Sequence, residues 1–336
     1  MAAIHFVVKS LFCLFVLIAE AGGMAVHNVL FPTDRDGAFF GTNALPLSAT
    51  PTTISPSPSP SPSLVVFVHG RLEADPVSDG MDIPRPAELY SDFCNGLADE
   101  TKKDVLLVDY HEHYKDWGRE PRDLGLGPVT SAIGEAIRNH IATTTFRTDT
   151  ATPKITLVSF SMGAAIVLKL LGSDPTFQPA TLSSSLLGSS EGVLQVEKLI
   201  LVEPVWRCWL PFAVARATEA GYSPSNNNNN GGVGISKIPS LALVGTRDEE
   251  VQHDCGGAGM GGSGPRNSSE AVVRTLRPFL SNVSAIDVTG GNHFGGLCSG
   301  PPDIREFIEE GLAPDTTPES VRKELIGRIS EFCASK

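Results

Sequence analysis

Ser161 stands between two runs of opposite habit. Lys154–Phe160 (KITLVSF) is apolar and β-branched, as a buried strand is, while Ala164–Leu171 has the composition of a helix. A strand that turns into a helix at a serine carries the hydroxyl at the tip of a tight bend. The first helical N–H groups then face whatever that oxygen attacks. An alkyl hydroxyl is a weak nucleophile at neutral pH and needs a base, itself held by a third group. Two such groups follow, each just past a strand. The run 240–245 (SLALVG) is a second buried strand, with Asp248 three residues beyond Gly245. The run 282–288 (NVSAIDV) is a third, ended by Gly290 and Gly291 and followed by His293. In this reading His293 takes the serine proton, and Asp248 fixes the imidazole tautomer and stabilises the imidazolium. The plainer reading of Ser161 is a helix N-cap.

Serine, then acid, then histidine, each at the carboxyl end of a strand, is the chain order of the α/β-hydrolases. The elbow reads Ser159-Phe160-Ser161-Met162-Gly163, one departure from Gly-x-Ser-x-Gly, with serine in place of the first glycine. A fourth element agrees: the strand 64–68 (LVVFV) ends in His69-Gly70. On these motifs the chain from about Ser63 to its C-terminus resembles an α/β-hydrolase of serine esterase or lipase type. The resemblance implies a mostly parallel, doubly wound sheet with helices on both faces. It also implies an oxyanion hole made by the backbone N–H groups of Met162 and Arg71, and a small lid at 206–239. Trp206, Trp209 and Phe212 in that lid would wall an acyl pocket or pack as its core. A serine at the elbow sets the chain apart from branches whose nucleophile is a carboxylate.

Alternatives stay open at the acid. Glu203, at the end of the strand 198–203, is a rival to Asp248, since some members of the superfamily take the acid from that strand; Glu249 and Glu250 are nearer rivals. His69 reads as structural. His111 and His113 lack further ligands close by, so neither a metal nor another cofactor is expected. The expected reaction is cleavage of a small-molecule ester or acyl substrate through an acyl-enzyme on Ser161. Thioesterases and acyltransferases use the same triad. A non-catalytic binding or wall-associated protein on the same scaffold is the reading from another class, supported by the missing first glycine.

The rest of the chain bounds these readings. It has 336 residues, 41% of them hydrophobic, enough for one large α/β domain. A formal charge of −12 with no basic stripe argues against a nucleic-acid partner. Residues 1–21 have the pattern of a secretory signal, Lys9 before an apolar run and small residues at Ala19 and Ala21. No integral membrane span is expected once it is cleaved, and the protein is expected in the secretory pathway or outside the cell. Sequons at Asn267 and Asn282 agree with that route. Five cysteines then remain. A bridge between Cys255 and Cys298 would pin the acid and histidine loops together, although Cys208 and Cys333 compete as partners.

The segment 22–53 contains a candidate hairpin, 26–31 with 38–40, as first strands of the sheet or as an extension. A Ser/Pro-rich linker at 54–63 is an extended tether. The hydrolase domain is expected at 64–336. Apolar residues at four-residue steps predict helices through Leu89, Phe93 and Leu97, through Ile133, Ile137 and Ile141, and through Val321, Leu325 and Ile329. The last is opened by Thr317-Pro318. Strands at 104–110 and 198–203 alternate with them, the pattern of a parallel sheet.

Overall fold

A computed structural model of the chain describes residues 27–31, 63–70, 85–110, 127–143, 152–179, 193–204, 237–247, 269–277, 280–300 and 302–335. Outside these ranges lie the expected secretory signal at 1–21, the Ser/Pro-rich tract up to residue 62, Arg71, His111, His113, Trp206, Trp209, Phe212, Cys208, Asp248, Glu249, Glu250, Cys255 and Asn267. The expected lid is also outside them through residue 236.

The strands are β1 (His27–Phe31), β2 (Ser63–Val68), β3 (Val105–Asp109), β4 (Lys154–Phe160), β5 (Phe177–Pro179), β6 (Leu194–Val202), β7 (Ser240–Gly245) and β8 (Val283–Val288). They form one sheet in the order β1-β3-β2-β4-β6-β7-β8, with the short β5 beside β6. Every pairing is parallel except β1 on β3. The sheet therefore takes its antiparallel edge strand from before the Ser/Pro tract. The second arm of the candidate hairpin, 38–40, lies outside the described residues.

The helices are α1 (Pro86–Leu89), α2 (Ser91–Thr101), α3 (Gly127–Thr143), α4 (Gly163–Ser173), α5 (Ser269–Leu276), α6 (Pro302–Glu309) and α7 (Pro318–Ala334). Successive side chains on a strand point to opposite faces, and the two cores divide accordingly. Leu64, Val66, Val68, Leu106, Val108, Leu199 and Leu201 join α3, α4 and α5 on one face. Val65, Phe67, Val105, Leu107, Ile200 and Val202 join α1, α2, α6 and α7 on the other. Central strands buried on both sides explain the unbroken apolar runs in the sequence. β8 is the exception, with alternating and partly exposed residues, as befits a sheet margin.

Two details differ from the periodicity. The helix expected through Leu89, Phe93 and Leu97 is interrupted at Tyr90 (φ −103°, ψ 6°), so α1 and α2 are separate. All three apolar positions are buried nonetheless. The strand expected at 198–203 begins earlier, at Leu194, and β5 pairs with that extension. The last helix begins as its sequence predicts: Thr317 accepts from the Ser320 N–H, Ser320 Oγ accepts from the Thr317 N–H, and Pro318 takes the first turn. Parallel strands in this order, one antiparallel edge and helices on both faces are the architecture of the α/β-hydrolase fold.

Candidate active site

β4 ends at Phe160, and Ser161 follows with φ +51°, the left-handed region that a side chain enters only under strain. Its N–H still donates to Val202 O (3.0 Å), while its carbonyl accepts from the Ala164 N–H (3.0 Å) as α4 begins. The backbone thus reverses within one residue. A Cβ on Gly163 would strike the carbonyl oxygens of Val68 and His69, so the helix can start here only if residue 163 is glycine. The first elbow position tolerates its serine. Ser159 is fully buried and its hydroxyl lies 3.4 Å from Ile200 O. A small polar side chain fits where the motif has glycine, so the departure leaves the turn intact.

His293 reaches this hydroxyl from 132 residues downstream. Its Nε2 lies 2.9 Å from Ser161 Oγ, with Ser161 6% and His293 5% exposed. The imidazole is walled by Phe160 (centroids 5.0 Å apart) and meets Phe294 edge-on (4.8 Å, 86°). The loop that carries it is tied to the end of β7. Thr246 N–H donates to Val288 O (3.0 Å), Arg247 N–H donates to Gly291 O (2.9 Å), and Thr246 Oγ1 accepts from the Gly290 N–H (2.8 Å). The segment leading to Asp248 and the segment leading to His293 are therefore joined edge to edge as far as residue 247.

Glu203 is also present at this end of the sheet. It is 1% exposed, follows β6 with φ +44°, and its Oε1 accepts from the Gly245 N–H at 2.7 Å. Glu203 thus sets a buried carboxylate, on strained backbone, against the β7 terminus.

Met162 supplies the first amide beyond the serine. It is the N-cap residue of α4, and no hydrogen bond from its N–H is found among the described residues. Gly70 closes the other side, where a Cβ would come within 2.7 Å of Ser161 Cβ. His69, by contrast, has both ring nitrogens committed to backbone. The Tyr110 N–H can only donate, so Nε2 (3.3 Å) is the acceptor and Nδ1 is the protonated nitrogen, donating to Gly70 O at 2.6 Å. Its ring stacks on Tyr110 (4.2 Å, 18°) and on Tyr90 (5.9 Å, 22°), and the Tyr110 hydroxyl donates to the His69 carbonyl. This is a structural histidine that fixes the Gly70 carbonyl.

Just past His293, Cys298 is a free thiol, 2% exposed. Burial pushes its pKa up to about 12, a shift that its contact with Tyr90 and the charge of Arg322 only partly oppose. Burial likewise raises Tyr90 and Cys94. No disulfide joins the described cysteines, and Cys255, the expected partner of Cys298, lies outside them. Among the described residues no group of three or more potential ligands could hold a metal ion. Sequence reasoning passed over Asn292, whose three side-chain hydrogen bonds fix the histidine loop. Its place beside His293 in a glycine-flanked loop was the available signal.

No family model and no curated protein matches the sequence. Among solved structures it is similar to a dienelactone hydrolase from Anabaena variabilis, at 15% identity over 81% of this chain and 85% of that one (TM-score 0.43). It is similar to Est1E from Butyrivibrio proteoclasticus at 12% identity, over 92% and 95% of the two chains (TM-score 0.42). A third is carboxyl esterase 2 from the mycorrhizal fungus Tuber melanosporum, at 14% identity over 82% and 78% (TM-score 0.42). Likeness at this level carries no chemistry from those proteins to this one. The strand order, the elbow at Ser161 and the loops beyond β7 and β8 give the chain an α/β-hydrolase fold with Ser161 and His293 in hydrogen-bond contact.

Proposed function

We propose that the protein is a secreted serine hydrolase that cleaves carboxylic esters through an acyl-enzyme on Ser161. The observation that carries this reading is the 2.9 Å contact between Ser161 Oγ and His293 Nε2 at a strained elbow. His293 Nε2 accepts the hydroxyl proton as Oγ attacks the carbonyl carbon, and returns it to the departing alkoxide. A water, deprotonated by the same nitrogen, then releases the acid and restores the serine. The Met162 N–H, at the start of α4, and the N–H of Arg71 would hold the oxyanion, each donor contributing about 10²–10³ in rate. Trp206, Trp209 and Phe212 are proposed to face the acyl group.

Asp248 is the proposed acid, because the residues before it are laced to the histidine loop by Thr246 and Arg247. Glu203 is the second reading, favoured by its burial and its bond to Gly245. Asp248→Asn and Glu203→Gln separate the two: the true acid loses on the order of 10⁴ in kcat. Secretion is supported by the leader-like residues 1–21, and Asn282 is exposed, as a glycosylated asparagine has to be.

Labelling with a fluorophosphonate, beside Ser161→Ala and a series of p-nitrophenyl esters, tests the reading. Ser161-dependent labelling with ester turnover is expected. Folded wild-type protein that neither labels nor turns over any ester would make the chain a binding module on a hydrolase scaffold. Expression with the leader in a secretory host should yield protein in the medium that lacks residues 1–21.

A further inference from the structure

The turn after α6 touches both loops that the hydrolase reading requires. Asn292, 9% exposed and next to His293, donates through Nδ2 to Ile308 O (3.0 Å) and Glu310 O (2.5 Å). These are carbonyls at the end of α6, where the helix has no amides of its own left to offer. The same side chain accepts the Gly295 N–H on Oδ1 at 2.6 Å, closing the loop on the far side of His293. One residue along the turn, Gly311 O accepts from Arg247 Nε at 2.9 Å, and Arg247 is the residue before Asp248. Ala313 N–H donates to Gly290 O at 3.2 Å, and Gly311 itself has φ +83°.

We infer that the 310–313 turn is a brace that sets the distance between the histidine loop and the acid loop, with Asn292 and Arg247 as its positioning residues. The inference rests on the hydrolase reading. Asn292 spends its amide nitrogen on the carbonyls at the end of α6 and its oxygen on the Gly295 N–H, so the loop that carries His293 is tied both to α6 and to itself. A hydrogen-bonded amide buried this way is costly to leave half satisfied. Arg247 reaches the next carbonyl of the same turn from the acid side, so both loops are referred to one short piece of backbone. Neither side chain touches the reacting atoms. They act through His293 and through the residue that orients it, where a displacement of about 1 Å is enough to cost about 10²-fold in rate.

The test is kcat per active site, with sites counted by fluorophosphonate titration so that unfolded protein drops out of the comparison. Asn292→Ala is expected to lower kcat per titrated site about 10- to 100-fold, with KM within about twofold. Asn292→Asp is expected to fall nearly as far. Its carboxylate still accepts from Gly295 but has nothing to donate to Ile308 and Glu310. Arg247→Ala, at an exposed residue that folding tolerates, is expected to lose a few-fold. The double variant is expected to lose less than the product of the two, because both act through one turn. Unchanged kcat per titrated site in the Asn292 variants, with only a lower Tm, would overturn the brace. So would a double variant equal to the product of the singles. Absence of Ser161-dependent labelling in the wild type removes the hydrolase reading itself, whereas wild-type labelling with unaltered variants removes only the brace.

Discussion

His69 and His293 occupy matching places, each buried just beyond a strand of the sheet and each packed against aromatic rings. They differ in what their nitrogens meet. His69 accepts from one backbone amide and donates to a backbone carbonyl, so both nitrogens are occupied by groups that never leave. His293 turns Nε2 to a serine hydroxyl whose own backbone is strained. Burial, strand ends and aromatic neighbours are therefore common to the structural histidine and to the proposed base. The partner of the nitrogen is what separates them.

Removing each ring in turn exposes that contrast. His293→Ala is expected to lose on the order of 10⁴–10⁶ in kcat with little change in Tm. His69→Ala is expected to invert the balance. It removes the ring that the Tyr110 N–H and the Gly70 carbonyl bond to and empties a fully buried site, at about 3–5 kcal/mol of stability by thermal or denaturant melts. A His69→Ala protein as stable as wild type would erase the distinction.

Two glycines, one against the His69 backbone and one against Asn292, sharpen the comparison at a smaller scale. Gly163→Ala puts a Cβ against the carbonyls of Val68 and His69, which are backbone and have nowhere to go. A loss of about 2–4 kcal/mol is expected, read as a lower Tm and weaker fluorophosphonate labelling. At Gly311 the nearest atoms are 3.7 Å from an added Cβ, so Gly311→Ala meets only the strain of its positive φ, about 1 kcal/mol.

The smallest effect concerns the thiols. Cys298, raised to about 12, and Cys94, raised by the same burial, are protonated at neutral pH in the folded protein. Iodoacetamide is therefore expected to spare both until denaturant is added, as peptide mass mapping would show. Rapid native alkylation at Cys298 would mean that the histidine loop opens readily.

The sequence was legible where periodicity is long or chemistry is distinctive. β4 runs over the residues its apolar composition marks, and Ser161 meets His293 as their strand-end positions require. β5 was not legible because three residues show no period, and its strand exists only through pairing with the start of β6. The break at Tyr90 was hidden for a related reason: Leu89, Phe93 and Leu97 are buried on either side of it, so the apolar rhythm runs straight across. Asn292 escaped notice because an asparagine in a glycine-rich loop reads as a turn former. Its role comes from carbonyls 16 and 18 residues away, which no local pattern encodes.

The pairing of Ser161 with His293 is tested most directly by the second-order rate of fluorophosphonate labelling as a function of pH, in wild type and in His293→Ala. Protonating the imidazole removes the acceptor for the serine proton. The wild-type rate should therefore fall as the pH drops and the imidazole takes up a proton. The variant should be slow throughout and nearly flat. A wild-type rate unaffected by acid while the protein stays folded, or a variant that labels as fast as wild type, would contradict the assignment of His293 as the base.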